Sequence, residues 1–227
     1  MSNEIAVEAS KEAAKQLAKK AAEFLEKIVN KPLSELGDLW TDEIRYFRFK
    51  NQVDIMLKAK KLLEDRGIQP QNISLKTLAP LIEYSSWEEN LTMQEKWASL
   101  LANAANPLMG HDNEQSYVEI LNQMSPIQAN ILDLVYDHYL NNDSKNKRSI
   151  HYSKDKLVEN IKNINPESID ISIENLYRLN LLKPPLGMTM GLPLPISKEG
   201  GQVALQTTEE FRISLLGIDF VKHCRCK

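Results

Sequence analysis

Apolar residues at the start of the chain recur every three or four positions: Ile5, Ala9, Ala13, Leu17, Ala21, Phe24 and Ile28 form one stripe. The stripe predicts an amphipathic helix from about Glu4 to Asn30. Three of its seven members are alanine, so the helix approaches a neighbour closely but buries little area alone and must dock to persist. Lys31-Pro32 ends it, and Pro32 suits the first turn of a second helix, where its missing N–H costs nothing. Leu33, Leu36, Trp40, Ile44 and Phe47 continue at helical steps, and Phe49, Val53, Met56, Leu57 and Leu63 then shift the apolar arc sideways. Gly67 is the expected stop, and the length of the element predicts a break near Gly37. Ser74 or Thr77 is the candidate cap of a short helix through Leu81, Ile82 and Tyr84.

The stretch MQEKWASLLANAAN, residues 93–106, joins one large ring to very small residues. Ser86 with Glu89 and Thr92 with Glu95 each fit a capping box, and Thr92 is the preferred cap of the main helix. Trp97, Leu100, Leu101 and Ala104 form the packing or docking face, while Ala98, Ala102 and Ala105 leave the other sides slim. That combination predicts a central helix in a bundle.

Beyond residue 110 the pattern changes. Ser125 and Pro126 open a helix whose arc is Ile127, Ile131, Leu134, Val135 and Tyr139. The stretch from Asn141 to Ser149 is polar and reads as an exposed loop, and its Lys145, Lys147 and Arg148 form a dense positive cluster. Two short helices follow, Lys154 to Ile164 and Pro166 to Asn180, a helix-turn-helix candidate. Leu181-Leu182 and Phe211 to Ile213 read as short strands. The Gly/Pro-rich stretch between them reads as an irregular wing, and Leu216, Phe220 and Val221 pack a last helix. The expected fold is mainly α: an N-terminal bundle of long antiparallel helices over 1–110, then a winged-helix-like α+β module with a small β-wing over 111–227.

Charge decides how that second module is read. A winged helix reads DNA with its second short helix in the major groove. Residues 166–180, PESIDISIENLYRLN, instead hold Glu167, Asp170 and Glu174 against Arg178 alone, a net of −2. Carboxylates facing phosphate repel where counterion release should supply affinity, so nucleic-acid binding is disfavoured. Protein docking is favoured, with Lys145, Lys147 and Arg148 as candidate contacts for an acidic partner or nucleic acid. The whole chain of 227 residues carries a formal charge of −3, which gives no general attraction to phosphates. In IRYFRFKNQ, residues 44–52, rings and basic side chains point around a whole helix, which favours core rings with solvated arginines over a base-stacking platform.

Candidate chemistry is sparse. Cys224 and Cys226 lie too close for a useful disulfide, and with His223 they lack the separated arms of a zinc site. A reducing, cytoplasmic setting is expected. His111, His138 and His151 fall in no catalytic motif, and GMTMG and EGGQ lack the setting of a phosphate loop. The expected catalytic, cofactor-binding and metal-binding sets are all empty. No apolar run is long enough to span a membrane, and the alanine-rich first stripe with nearly cancelling charges disfavours peripheral membrane contact.

Four blocks, MQEKWASLLANAAN, YVEILNQMSPIQANILDLV, SIENLYRLNLL and LLGIDFVKHC, occur in this order over residues 93–224. Together they resemble the Abi-alpha family of bacterial proteins, linked by name to abortive infection. The resemblance implies a soluble bacterial protein tied to phage defence and brings no catalytic residues to carry over. The favoured function is therefore a non-catalytic abortive-infection protein acting through a protein partner or as a homo-oligomer. A winged-helix nucleic-acid-binding regulator is the second class. A hydrolase or nuclease whose acids converge only in the folded chain is the third.

Overall fold

A computed structural model of the chain describes residues 15–17, 19–21, 23–24, 27, 43–110, 113–143, 147–161, 164–185 and 210–225, without the side chains of 43–46 and 148. The expected break near Gly37, most of the first stripe and the Gly/Pro-rich wing lie outside those residues. The fold is mainly α with a small antiparallel sheet. It divides into two compact units, residues 1–123 with 222–227, and residues 124–221.

In the first unit the described residues between 15 and 27 are helical, with Ala21 and Phe24 buried. Helix α1, Glu43–Asp65, buries Val53, Ile55, Met56, Ala59 and Leu63. It ends where expected, because Gly67 adopts φ +64, a left-handed conformation that costs glycine little. The Ile68 N–H then reaches the Leu63 carbonyl and the Gly67 N–H that of Glu64, satisfying two otherwise orphaned acceptors. Helix α2, Leu75–Ser85, is capped by the Ser74 side chain, which accepts from the Lys76 N–H. Helix α3, Leu91–Ala104, is capped two residues before the expected Thr92: Asn90 is extended and its side-chain oxygen accepts from the Met93 N–H. Asparagine fills this role as well as threonine does, and Thr92 lies inside the first turn.

Helix α3 is the centre of the first unit. Every residue from Lys96 to Asn106 is buried, with α1, α2 and α4, Glu114–Asn122, packed around it. The slim positions Ala98, Ala102 and Ala105 let these neighbours close on it from several sides. Tyr117 and Leu121 of α4 complete this core, and the His223 ring lies 4.8 Å from that of Tyr117.

The second unit begins with α5, Pro126–Asn141. Ser125 accepts from the Gln128 N–H while the Gln128 side chain accepts from the Ser125 N–H, a complete capping box with Pro126 in the first turn. Replacing Ser125 with alanine is expected to lower stability by about 1 kcal/mol, read from urea unfolding, because one capping bond is lost and the Gln128 amide is released. Strand β1, Tyr152–Ser153, leads into α6, Lys154–Asn160, and α7, Pro166–Arg178, follows from an Asn165 cap. Asn180, at φ 59, ends α7, with Leu181 N–H on the Leu176 carbonyl and Asn180 N–H on that of Tyr177.

Strands β2, Leu182–Lys183, and β3, Glu210–Ile213, complete a sheet in the order β1-β3-β2, antiparallel throughout, with Tyr152 opposite Phe211 and Leu182 opposite Ile213. Helix α8, Leu215–His223, follows. Ile131, Leu157, Ile169, Leu176, Leu181 and Phe211 form the second core. Burial raises the Tyr152 phenol above its ordinary value of 10.0, the Asn160 hydrogen bond opposing and the Glu159 charge adding to that shift.

Candidate interaction surface

Helix α7 divides cleanly into two faces. Ile169, Ile173 and Leu176 are buried, whereas Glu167, Ile171, Glu174 and Arg178 are exposed, at the spacing that aligns side chains on one side of a helix. Ile171 is 61% exposed, an aliphatic side chain standing between two carboxylates. The inner side is fastened: the Asn175 amide donates to the Gln128 side-chain oxygen at 2.9 Å, and the Lys154 ammonium lies 2.5 Å from the Asp170 carboxylate. That ion pair removes a cation from the neighbourhood. On α6, Asp155, Lys156, Val158 and Glu159 are exposed. The two helices together present Asp155, Glu159, Glu167 and Glu174 against Lys156 and Arg178, a net of −2.

The positive cluster is placed differently from an open patch. The Lys147 ammonium donates to the carbonyls of Tyr139 and Leu140 at 3.2 and 3.4 Å, and also to that of Asn142. It thus sits on the unsatisfied carbonyl end of α5, where a cation is favoured by the helix dipole. Lys145 and the Arg148 side chain lie outside the described residues.

The family described as abortive infection alpha matches residues 50–224. The chain belongs to that family. All four sequence blocks that resemble Abi-alpha fall inside the matched span. An abortive-infection, phage-defence role is what membership brings. No match was found among curated proteins or among solved structures.

Within this Abi-alpha chain, Trp97, Leu100, Leu101 and Ala104 are core residues of the first unit, at most 3% exposed. His223 is buried, its Nε2 3.3 Å from the Gly110 carbonyl, and Cys224 is buried beside it in sequence. Cys226 and His111 lie outside the described residues. His138 meets the Tyr152 ring edge-on at 5.1 Å, and His151 Nδ1 lies 3.5 Å from the Glu210 carboxylate. A groove of about 270 Å³ in the first unit is lined by Glu23, Phe24, Lys27, Lys60, Leu63 and Glu64 among others, and its lysines and carboxylates balance. No described helix is long and apolar enough to cross a membrane.

Sequence reasoning finds the acidity of α7 from composition alone. It does not find which acids are exposed, because that depends on Lys154 reaching Asp170 from another helix.

Proposed function

We propose that this Abi-alpha protein acts in the bacterial cytoplasm as a non-catalytic adaptor of abortive infection, and that its second unit is a winged-helix-like module that docks on a protein. Growth arrest follows from that engagement. The order helix, strand, two helices and hairpin, with β3 between β1 and β2, supports the winged-helix reading. In such a module α7 is the helix that would enter a major groove.

The observation that carries the reading is the exposed face of α7, where Ile171 stands between Glu167 and Glu174. A phosphate backbone is repelled by such a face. A protein surface with an apolar socket and basic rim is attracted to it, the carboxylates guiding approach and the isoleucine supplying buried area.

The test pairs Ile171→Arg with Glu174→Lys in the full chain. Both positions are exposed, so folding stability should change by no more than about 0.5 kcal/mol each. Protection of infected cultures is expected to fall to the level of cells lacking the protein. Full protection by the double variant would remove α7 from the mechanism. Purified protein should also show no DNA or RNA shift at low salt, and salt-sensitive retention would favour the nucleic-acid-binding reading.

A further inference from the structure

Trp87 is an exposed ring on a fixed backbone. It lies between α2 and α3, and 53% of it is accessible. The carbonyls on either side are nevertheless held: the Asn51 amide of α1 donates to the Ser86 and Glu88 oxygens, each at 3.0 Å. Gln94 of α3 donates to the same Glu88 oxygen at 2.9 Å, and Lys58 in turn reaches the Gln94 side-chain oxygen. Arg48 lies with its guanidinium carbon 4.3 Å from the centre of the Trp87 ring while donating to Ser86 Oγ and pairing with Glu83 at 2.5 Å. Single exposed apolar residues are ordinary and carry no message. A tryptophan anchored from two helices is different, because its backbone needs no ordering when a partner arrives.

The surroundings extend the surface and give it a sign. Leu91, four residues on in the first turn of α3, is 70% exposed. Phe47, one helical turn before Asn51, is 38% exposed, so it is not the core ring that the pattern of residues 44–52 suggests. Glu83, Glu88, Glu89 and Glu95 lie close to these residues along the chain, against Arg48, already paired, Lys50, and Lys58, which reaches Gln94. The local balance is −1. We propose that Trp87, Leu91 and Phe47 form a docking surface on the first unit for a basic amphipathic segment of a partner protein, with the apolar residues as its seat and the carboxylates as its rim.

This surface belongs to the first unit and α7 to the second, so either can fail alone. The probe is a synthetic 14-residue peptide with leucines at helical spacing and lysines elsewhere, titrated calorimetrically into the full chain. A second peptide carries glutamate in place of each lysine. The lysine peptide is expected to bind in a salt-sensitive way and the glutamate peptide not at all. Trp87→Ala, and separately Glu89→Lys with Glu95→Lys, should each weaken binding at least tenfold, with Trp87→Phe retaining part of it. Ile171→Arg should leave it unchanged. Far-UV circular dichroism checks that each variant is folded. Failure of the lysine peptide to bind, equal binding to the Trp87→Ala variant, or binding of the glutamate peptide or single-stranded DNA would each overturn the proposal.

Discussion

Trp97→Ala is expected to lower the unfolding free energy by about 3–5 kcal/mol. The ring is 2% exposed, in a helix whose residues from Lys96 to Ala104 are all buried. Collapse into the space left behind is restricted, because α1, α2 and α4 already close on the alanine faces of α3. A domain's net stability is about 5–15 kcal/mol, so this loss removes a large share of it. Urea unfolding followed by circular dichroism gives the measurement, and a loss below about 1 kcal/mol would mean that the site refills. In infected cultures, protection should fall with the amount of folded protein.

Gly217→Ala comes second, and its sign carries the information. In an unconstrained helix this change stabilises by about 1 kcal/mol, because alanine has the higher helix propensity. Here a Cβ on Gly217 would stand 2.3 Å from the Leu181 carbonyl oxygen and 2.9 Å from Ile213 Cγ1. The carbonyl cannot retreat freely, since it accepts from the Ser214 N–H at 2.9 Å. The expected outcome is a loss of about 1–3 kcal/mol, seen as a lowered melting temperature. Gly217→Val should lose more. A higher melting temperature for the alanine variant would show that α8 does not lie this close to the Leu181 backbone.

Legibility in the sequence depended on how local the deciding interaction is. Ser125-Pro126 and Gly67 announce helix ends because cap and helix are neighbours in the chain, and the structure places both as expected. The central position of α3 was equally readable, since one ring among small residues requires close neighbours on several sides. The start of α3 was not, because Asn90 and Thr92 are both competent caps and only the backbone distinguishes them. Strand β1 is two residues long, too short for alternation to reveal, and it exists because Phe211 pairs with Tyr152. The α7 face was legible as net charge but not as geometry. Trp87 was invisible as a candidate, since its rigidity comes from Asn51, on a helix 35 residues away from Ser86.

The first unit is closed by residues 119 and 120 positions downstream of Asn103 in its central helix. Asn103, 2% exposed, donates its side-chain amide to the main-chain oxygens of Lys222 and His223 at 3.3 and 2.8 Å. A ribosome working at about 5–20 residues per second needs roughly 6–24 s to travel from Asn103 to those acceptors. Until then a buried donor at the heart of the bundle has no acceptor there, so the N-terminal unit cannot finish maturing ahead of the rest. Any message cut short upstream of Lys222 yields a polypeptide with this defect built in, recognisable to proteases as incompletely folded.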